Sequence, residues 1–257
     1  MMKMWKKMIA LFSAACVLAA CGASDTASDD QLTQIQEKGV IVIGTEGTYA
    51  PNSYHDEEGN LTGFDVEVGR LIARELGVEA QFVESSWDSL FAAMDSGRVD
   101  TVINEVEADE ERAEKYDFSQ PYTYVHGALM VSSDNTDIQG LRAAQNLTSS
   151  WGALAESYGA QLVGVDSMDQ SIQLLESGRA DATLNSETAF GDYLRKHPDA
   201  PVKIAARTET TTSSVVPVRK GNEALREAID DALDALRASG ELSELSQRFF
   251  GMDVTQE

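Results

Sequence analysis

The stretch DSGRVDTVIN at residues 95–104 returns 81 residues later as ESGRADATLN at residues 176–185. Each copy follows a segment with apolar residues at helical spacing, 87–96 or 168–177, and leads into a short apolar run typical of a buried strand. The glycine within each copy suits the left-handed position that ends a helix, and the Arg and Asp after it can satisfy the turn before the strand. One such unit is common, but two in one chain predict two α/β lobes of related build.

Other segments of the sequence extend this α/β plan. Strands are expected at 40–44, 81–84 and 161–165, with another ending at 146–148, and helices at 63–76, 187–196, 222–237 (with Asn222 as N-cap) and up to residue 250. Alternating strands and helices form parallel sheets, which bind ligands beyond the carboxyl ends of their strands. Asn104 and Asn185 mark two such ends. We therefore expect a site between the lobes, lined by residues 104–107 and 185–187.

The first twenty residues have the features of an export signal. Lys3, Lys6 and Lys7 precede an apolar run of thirteen residues, which is too short to span about 30 Å of hydrocarbon. The run ends in LAAC at 18–21, which resembles the bacterial lipobox and predicts that Cys21 is lipid-modified. The alternative is an ordinary signal peptide (1–20) cleaved nearby.

The segment that follows the signal, 21–30, is rich in Ser, Ala and Asp and predicts a flexible tether between the lipid and the folded domain. Cys16 leaves with the signal, and the sequence contains only two cysteines. No disulfide is therefore expected within the mature chain, so its stability in an oxidising compartment has to come from packing.

Composition narrows the functional classes further. The chain has 257 residues and a formal net charge of −23, from 43 Asp and Glu against 20 Lys and Arg. An acidic surface of this size repels phosphate backbones, so nucleic-acid binding is not expected. The three histidines are scattered and have no cysteine beside them, which predicts no metal site. Phosphate-binding and dinucleotide motifs are missing from the sequence, so we expect neither a cofactor nor an enzyme.

Six segments, in this order and spacing, resemble the extracytoplasmic amino-acid-binding proteins of ABC importers, known as solute-binding protein family 3. The segments are GTEGTYAP at 44–51, GFD at 63–65, WD at 87–88, DTVIN at 100–104, ER at 111–112 and YDFSQPY at 116–122. The resemblance extends from about residue 31 to residue 254. The first and last segments are most similar to the cystine-binding branch of the family.

This resemblance implies an α/β fold of the type II periplasmic-binding-protein class, a two-lobed clamp in which each lobe is a mixed sheet flanked by helices. Lobe 1 is expected at 31–128 plus 217–257 and lobe 2 at 129–216. Two hinge crossings are expected near 128–131 and 214–218. A ligand that contacts both lobes would shift such a clamp towards its closed form.

An amino-acid zwitterion taken out of water needs donors for its carboxylate and an anion for its ammonium group. By the resemblance, Arg112 binds the carboxylate, residues 148–150 add hydroxyl and backbone donors, and Tyr49 and Trp87 cover the ligand side chain. Without the resemblance, Arg112 is better read as a solvated helix residue, and a core position and a ligand contact are equally good readings of Trp87. The full candidate site is Glu46, Tyr49, Trp87, Asn104, Glu105, Glu107, Arg112, Thr148, Ser149, Ser150, Ser186 and Glu187.

Two positions depart from the family pattern. Ser186 occupies the position of the aspartate that pairs with the ammonium group, and Glu107 replaces a small residue beside the carboxylate-binding arginine. We hypothesise that Glu107 or Glu187 takes over the missing anion. The alternative is that Glu107 faces solvent and the ligand is not a standard α-amino acid. Together with Glu46 and Glu105, these glutamates favour cystine or a basic amino acid over glutamate or aspartate.

The resemblance also implies the protein's task and its partners. A lipid-anchored extracytoplasmic monomer would capture a polar amino acid, with cystine as the first candidate, and deliver it to a membrane permease powered by a cytoplasmic ATPase. It would touch the membrane only through its lipid. Two other readings remain open: a receptor domain that only senses its ligand, and a dehydratase on the same fold in which a cleft glutamate acts as the acid.

Overall fold

A computed structural model describes residues 30–257 of the chain. The expected signal peptide and the lipidation site Cys21 lie outside the described residues, as does all of the tether except Asp30. The helices are α1 Gln31–Lys38, α2 Phe64–Glu75, α3 Trp87–Asp95, α4 Glu110–Ala113, α5 Ser150–Ser157, α6 Met168–Glu176, α7 Glu187–Lys196, α8 Glu223–Ser239 and α9 Glu241–Phe250. The strands are β1 Val40–Thr45, β2 Thr48–Tyr49, β3 Ser53–His55, β4 Leu61–Thr62, β5 Glu79–Glu84, β6 Thr101–Val102, β7 Tyr116–Phe118, β8 Thr123–Val131, β9 Arg142–Gln145, β10 Gln161–Gly164, β11 Ala182–Ser186, β12 Lys203–Ser214 and β13 Pro217–Arg219.

The strands form two α/β lobes, as the sequence predicts. In the first lobe, β5, β1 and β6 form a parallel sheet, while β7 pairs with β13 and β2, β3 and β4 pair among themselves, all antiparallel. Parallel and antiparallel strands of this lobe are therefore in separate sheets rather than in one mixed sheet. The second lobe does contain one mixed sheet of five strands, in the order β10-β9-β11-β8-β12, with β8 antiparallel to both neighbours.

Each lobe has its own apolar core. Helices α2, α8 and α9 pack with β1 in the first lobe, where Ile43, Phe64 and Leu233 are fully buried. In the second lobe, Met130 and Phe190 are fully buried between the sheet and its helices. Among residues 30–257, no helix is both long enough and apolar enough to cross a membrane.

The repeated decapeptide makes the same connection in both lobes. Asp100 accepts a hydrogen bond from the backbone N–H of Val42 in β1, at 2.8 Å. Asp181, its counterpart, accepts one from the backbone N–H of Arg142 in β9, at 3.0 Å. Each aspartate lies between a helix and the strand that follows it, and it bonds the backbone of the neighbouring strand in the same sheet. It thus links the end of the helix to the sheet.

Helix ends follow the sequence prediction with one exception. Gly97 and Gly178 adopt left-handed φ values of 72° and 69°, and Gly240 ends α8 in the same conformation. Asn222 precedes α8 as expected, but its side chain does not cap the helix. It donates to the carbonyl of Arg219 at 2.8 Å instead, because the backbone of Asn222 leaves the extended conformation that a capping side chain requires.

Two chain segments connect the lobes and run side by side. Ser119 donates its N–H to the carbonyl of Val216 at 3.0 Å, and Tyr122 donates its N–H to the carbonyl of Ser214 at 2.8 Å. From there β8 pairs with β12 into the second lobe. The register of this pair is irregular at residues 126–128 of β8. The lobe boundaries and the hinge ranges given above stay predictions.

Candidate functional site

A small cavity of about 70 Å³ lies between the lobes, at the ends of β1, β6, β9 and β11. This is the location that the strand-end argument predicts. The first lobe contributes Glu46, Tyr49, Trp87, Asn104 and Glu105, and the second contributes Gln145, Asn146, Ser149, Ser150, Trp151, Asp166, Ser167, Met168, Ser171 and Asn185. The acids in this lining outnumber the bases, since it holds three carboxylates and neither Lys nor Arg. We call it the inner cavity.

Asn104 holds Glu46 at one edge of the inner cavity. The buried Asn104 amide accepts the N–H of Glu46 at 2.9 Å and donates to Glu46 Oε2 at 2.8 Å. Burial raises the pKa of the Glu46 carboxyl, and the hydrogen bond from Asn104 partly opposes this. The polar residue at the end of β6 thus fixes the loop after β1.

Tyr49 joins the two lobes at the floor of the inner cavity. Its hydroxyl oxygen lies 2.7 Å from Glu105 Oε2 in the first lobe and 2.5 Å from Asn185 Oδ1 in the second, and Ser186 Oγ is 3.5 Å away. The ring is buried, and burial together with the charge of Glu105 raises the pKa of the hydroxyl. Tyr49 therefore stays a neutral donor over the physiological pH range.

Glu105 has the most unusual environment among the predicted site residues. It has a φ of 47°, the only positive value at a non-glycine position in residues 30–257. Its backbone N–H donates to Asp65 at 2.7 Å, and Tyr122 donates its hydroxyl to the same carboxylate at 2.9 Å. Burial raises the pKa of the Glu105 carboxyl to about 7. Burial also raises the pKa of Asp65 well above its ordinary value, and the charge of Glu105 adds to this rise.

Arg112 lies beside the inner cavity rather than within its lining. Its guanidinium carbon stands over the rings of Trp87 and Phe91, 5.4 and 5.3 Å from their centres. It lines a second, outer cavity of about 400 Å³, which also contains Lys115. Trp87, Ser149 and Ser150 line both cavities. The outer cavity also holds Asp88, Asp109 and Glu111, so the cations of the cleft lie in its outer part but among acids.

Protein acceptors already surround the guanidinium of Arg112. It lies 3.0 Å from the carboxylate of Asp109, the N-cap of α4, and donates to the backbone carbonyl of Glu107 at 2.8 Å. A longer contact, 3.3 Å, reaches the carbonyl of Thr148 in the second lobe. These bonds hold the side chain at the lobe interface. Carboxylate binding by Arg112 stays a prediction.

Three further candidates line neither cavity. Glu107 accepts a hydrogen bond from the hydroxyl of Thr212 at 3.0 Å. Glu187 pairs with Arg207 at 2.6 Å on the surface of the second lobe. Ser186 caps α7 and is fully buried. Thr148 lines the outer cavity and donates its hydroxyl to Asp88 across the lobe interface.

Sequence reasoning did not single out several residues that shape the site. Asp65 and Tyr122 orient Glu105, and Asp88 binds the second lobe through Thr148. All three belong to segments that carry the family resemblance, so their presence in those motifs was the available signal. Gln145 and Asp166 had no such signal. Within the described residues 30–257, no cluster of three or more His, Cys, Asp or Glu side chains is arranged to hold a metal ion.

Two α/β lobes with a polar cleft at facing strand ends define a solute-binding protein. Residues 41–252 match the family model for bacterial extracellular solute-binding proteins, family 3. The L-cystine-binding protein TcyA of Bacillus subtilis is 39% identical over 98% of this chain and 100% of its own. The chain belongs to this family of extracellular solute-binding proteins.

Two solved structures bear on the arrangement of the lobes. The unliganded, open L-cystine solute receptor of Neisseria gonorrhoeae is 44% identical, with a TM-score of 0.61 over 87% of this chain and 98% of its own. An ancestral arginine-binding protein bound to arginine is only 32% identical, yet its TM-score is 0.77 over 83% and 99%. The better fit to the liganded protein agrees with the hydrogen bonds that join the lobes here. In this structure the lobes are in direct contact through the bonds from Tyr49 to Asn185 and from Thr148 to Asp88.

Proposed function

We propose that this protein is the ligand-capturing component of an amino-acid importer and that cystine is its ligand. The observation that carries the proposal is the cleft between the lobes, which places carboxylates on its inner side and Arg112 on its outer side. A zwitterion needs both kinds of partner when it leaves water. Two similar proteins are named for L-cystine binding or as an L-cystine receptor, and this similarity favours cystine within the class.

The residues around the cleft suggest how such a ligand is held. Arg112 offers a planar fork to the carboxylate, and the N–H groups of the first turn of α5, other than that of Gly152, which Ser149 caps, add donors next to Ser150. Tyr49 and Trp87 supply aromatic surface on the first-lobe side. A basic or other polar amino acid would satisfy the same groups and is the alternative ligand.

Ligand binding would couple to closure because the lobes already contact each other around the site. The Tyr49 hydroxyl meets Asn185, and Thr148 meets Asp88. A ligand that contacts both lobes binds the closed form better and shifts the population towards it by its difference in affinity. The closed clamp would then dock on a permease whose ATPase drives release into the membrane channel.

The proposal includes the anchor and location predicted from the sequence. Cys21 would carry the lipid, the tether would link it to the domain at Asp30, and a monomer would work on the outer face of the membrane. As a binding protein rather than a dehydratase, it would return its ligand chemically unchanged.

Calorimetric titration of the purified protein with cystine, arginine, histidine and glutamate tests the function. We expect saturable cystine binding, and cystine at 100 times its dissociation constant should add about 2.7 kcal/mol to the free energy of unfolding. Preference for arginine or histidine would retain the class and overturn cystine. Binding of none of these amino acids, or recovery of an altered ligand, would overturn the function itself.

A further inference from the structure

We propose that Glu105 is the carboxylate that pairs with the ligand's α-ammonium group, in place of the aspartate that Ser186 replaces. This assignment rests on the proposed function, because it assumes an amino-acid ligand. It differs from the hypothesis drawn from the sequence, which considered Glu107 and Glu187.

The first argument is an incomplete set of hydrogen bonds. Glu105 is only 8% exposed and lines the inner cavity. Its Oε2 accepts the Tyr49 hydroxyl, but its Oε1 is buried without a hydrogen-bond partner among the described residues. None of the ion pairs within residues 30–257 includes Glu105. A buried carboxylate without a cation is costly, and an ammonium group that entered the cavity would offset that cost.

The second argument is position. The Tyr49 hydroxyl that holds Glu105 Oε2 also contacts Asn185 and lies 3.5 Å from Ser186 Oγ. The Glu105 carboxylate therefore lies, on the first-lobe side, beside the same hydroxyl that an acidic side chain at position 186 would approach from the second lobe. The left-handed backbone of Glu105, held by Asp65, is what fixes this residue at the cavity.

The third argument is that the other acids are less suitable. Glu187 already pairs with Arg207, and Glu107, which lines neither cavity, already has hydrogen bonds from Thr212 and Ser150. Asp166 lines the inner cavity but is exposed, so water screens its charge. Glu46 lines it too, with one oxygen held by Asn104. Glu105 alone in this group combines burial, access to the cavity and an unpartnered oxygen.

The groups that face Glu105 strengthen the need for a cation. They are the hydroxyls of Tyr49, Tyr122 and Ser186, the amide of Asn52, and the carboxyls of Asp65 and Glu107, none of which supplies positive charge. A ligand ammonium would therefore be the first cation in this cluster.

The test is a cycle of two proteins and two ligands. Cystine and 3,3′-dithiodipropionate differ only in the two ammonium groups, and calorimetry compares their affinities for the wild type and for Glu105→Gln. We expect the wild type to prefer cystine, and Glu105→Gln to reduce that preference at least about tenfold. The matched variant Glu187→Gln removes the same charge on the second lobe and should leave the preference unchanged. Glu107→Gln removes a carboxylate that faces Glu105 and should keep most of the preference.

A second variant separates a role in binding from a role in folding. Ser186→Asp in the Glu105→Gln background should restore the preference for cystine, which a merely structural loss would not allow. If Glu105→Gln does not fold, Glu105→Gly replaces it, because glycine readily adopts the positive φ found there.

The possible failures are distinguishable. If the wild type binds no amino acid, the proposed function falls, and this assignment falls with it. If the wild type binds cystine but Glu105→Gln weakens both ligands equally or neither, only the assignment falls. Loss of the preference in Glu107→Gln or Glu187→Gln would return the role to one of those residues.

Discussion

The two copies of the decapeptide end in opposite environments. In the first lobe, Asn104 leads to Glu105, a buried carboxylate with one unpartnered oxygen. In the second lobe, Asn185 leads through Ser186 to Glu187, whose carboxylate forms a surface ion pair with Arg207. The repeat thus builds the same helix, turn and strand twice, while the residues just beyond it differ in chemistry. The shared sequence therefore accounts for the common scaffold, and the candidate site differs between the two strand ends.

The largest effect should come from Arg112, which lines the outer cavity on the first-lobe side. Arg112→Ala should cost about 3 kcal/mol or more in binding, because a buried ligand carboxylate would lose its partner. Arg207→Ala, which removes the equivalent charge at the second strand end, should change affinity little. Calorimetry with cystine compares them, and a change below tenfold in Arg112→Ala would contradict the role.

The pH dependence of cystine binding should include a contribution from Glu105, at the first strand end. Because burial raises the pKa of Glu105 to about 7, its carboxylate becomes protonated as the pH falls below that value and can no longer pair with an ammonium group. Affinity for cystine should stay level just above pH 7 and fall by up to about tenfold per pH unit below it. In Glu105→Gln, titrations between pH 5.5 and 7.5 should show a weaker dependence. An unchanged slope would exclude Glu105 as its source.

The charge of Glu105, which should strengthen ligand binding, should destabilise the ligand-free protein. The pKa of Glu105 is raised in the folded protein, so its penalty is absent below its ordinary value of 4.5 and is complete above about 7. Glu105→Gln should therefore stabilise the ligand-free protein at pH 8, by on the order of 1–3 kcal/mol. Denaturant unfolding at pH 8 and pH 4.5 measures this gain, which should shrink at the lower pH. Glu187→Gln should cost about 0–1 kcal/mol at either pH.

The smallest effect should separate the two repeat aspartates. Asp100 accepts bonds from the N–H of Val42 and from the amide of Gln31, which is buried. Asp181 pairs with Arg142, which is half exposed to solvent. Asp100→Ala should lower the free energy of unfolding by about 1–2 kcal/mol and Asp181→Ala by less, because water replaces exposed partners. Equal losses in chemical unfolding would contradict this explanation.

Much of the architecture followed from patterns within short segments. Helices 87–96, 168–177 and 187–196 and the strands at 40–44 and 161–165 were predicted within one or two residues, because apolar periodicity and left-handed glycines act over a few positions. The prediction that the Asn222 side chain caps α8 was wrong, because residue type alone does not reveal the backbone conformation before α8.

The sequence by itself determined two lobes of related build, the strand ends that meet at the cleft, and the set of acids near them. Only the tertiary structure decided which acid is buried without a partner. Asp65 orients Glu105 from 40 positions away, and Tyr49 meets Asn185 across 136. Burial and pairing depend on such distant contacts, whereas helix and strand patterns depend on near neighbours. The burial and pairing of Glu105 therefore depend on the tertiary structure, mostly on contacts within the first lobe.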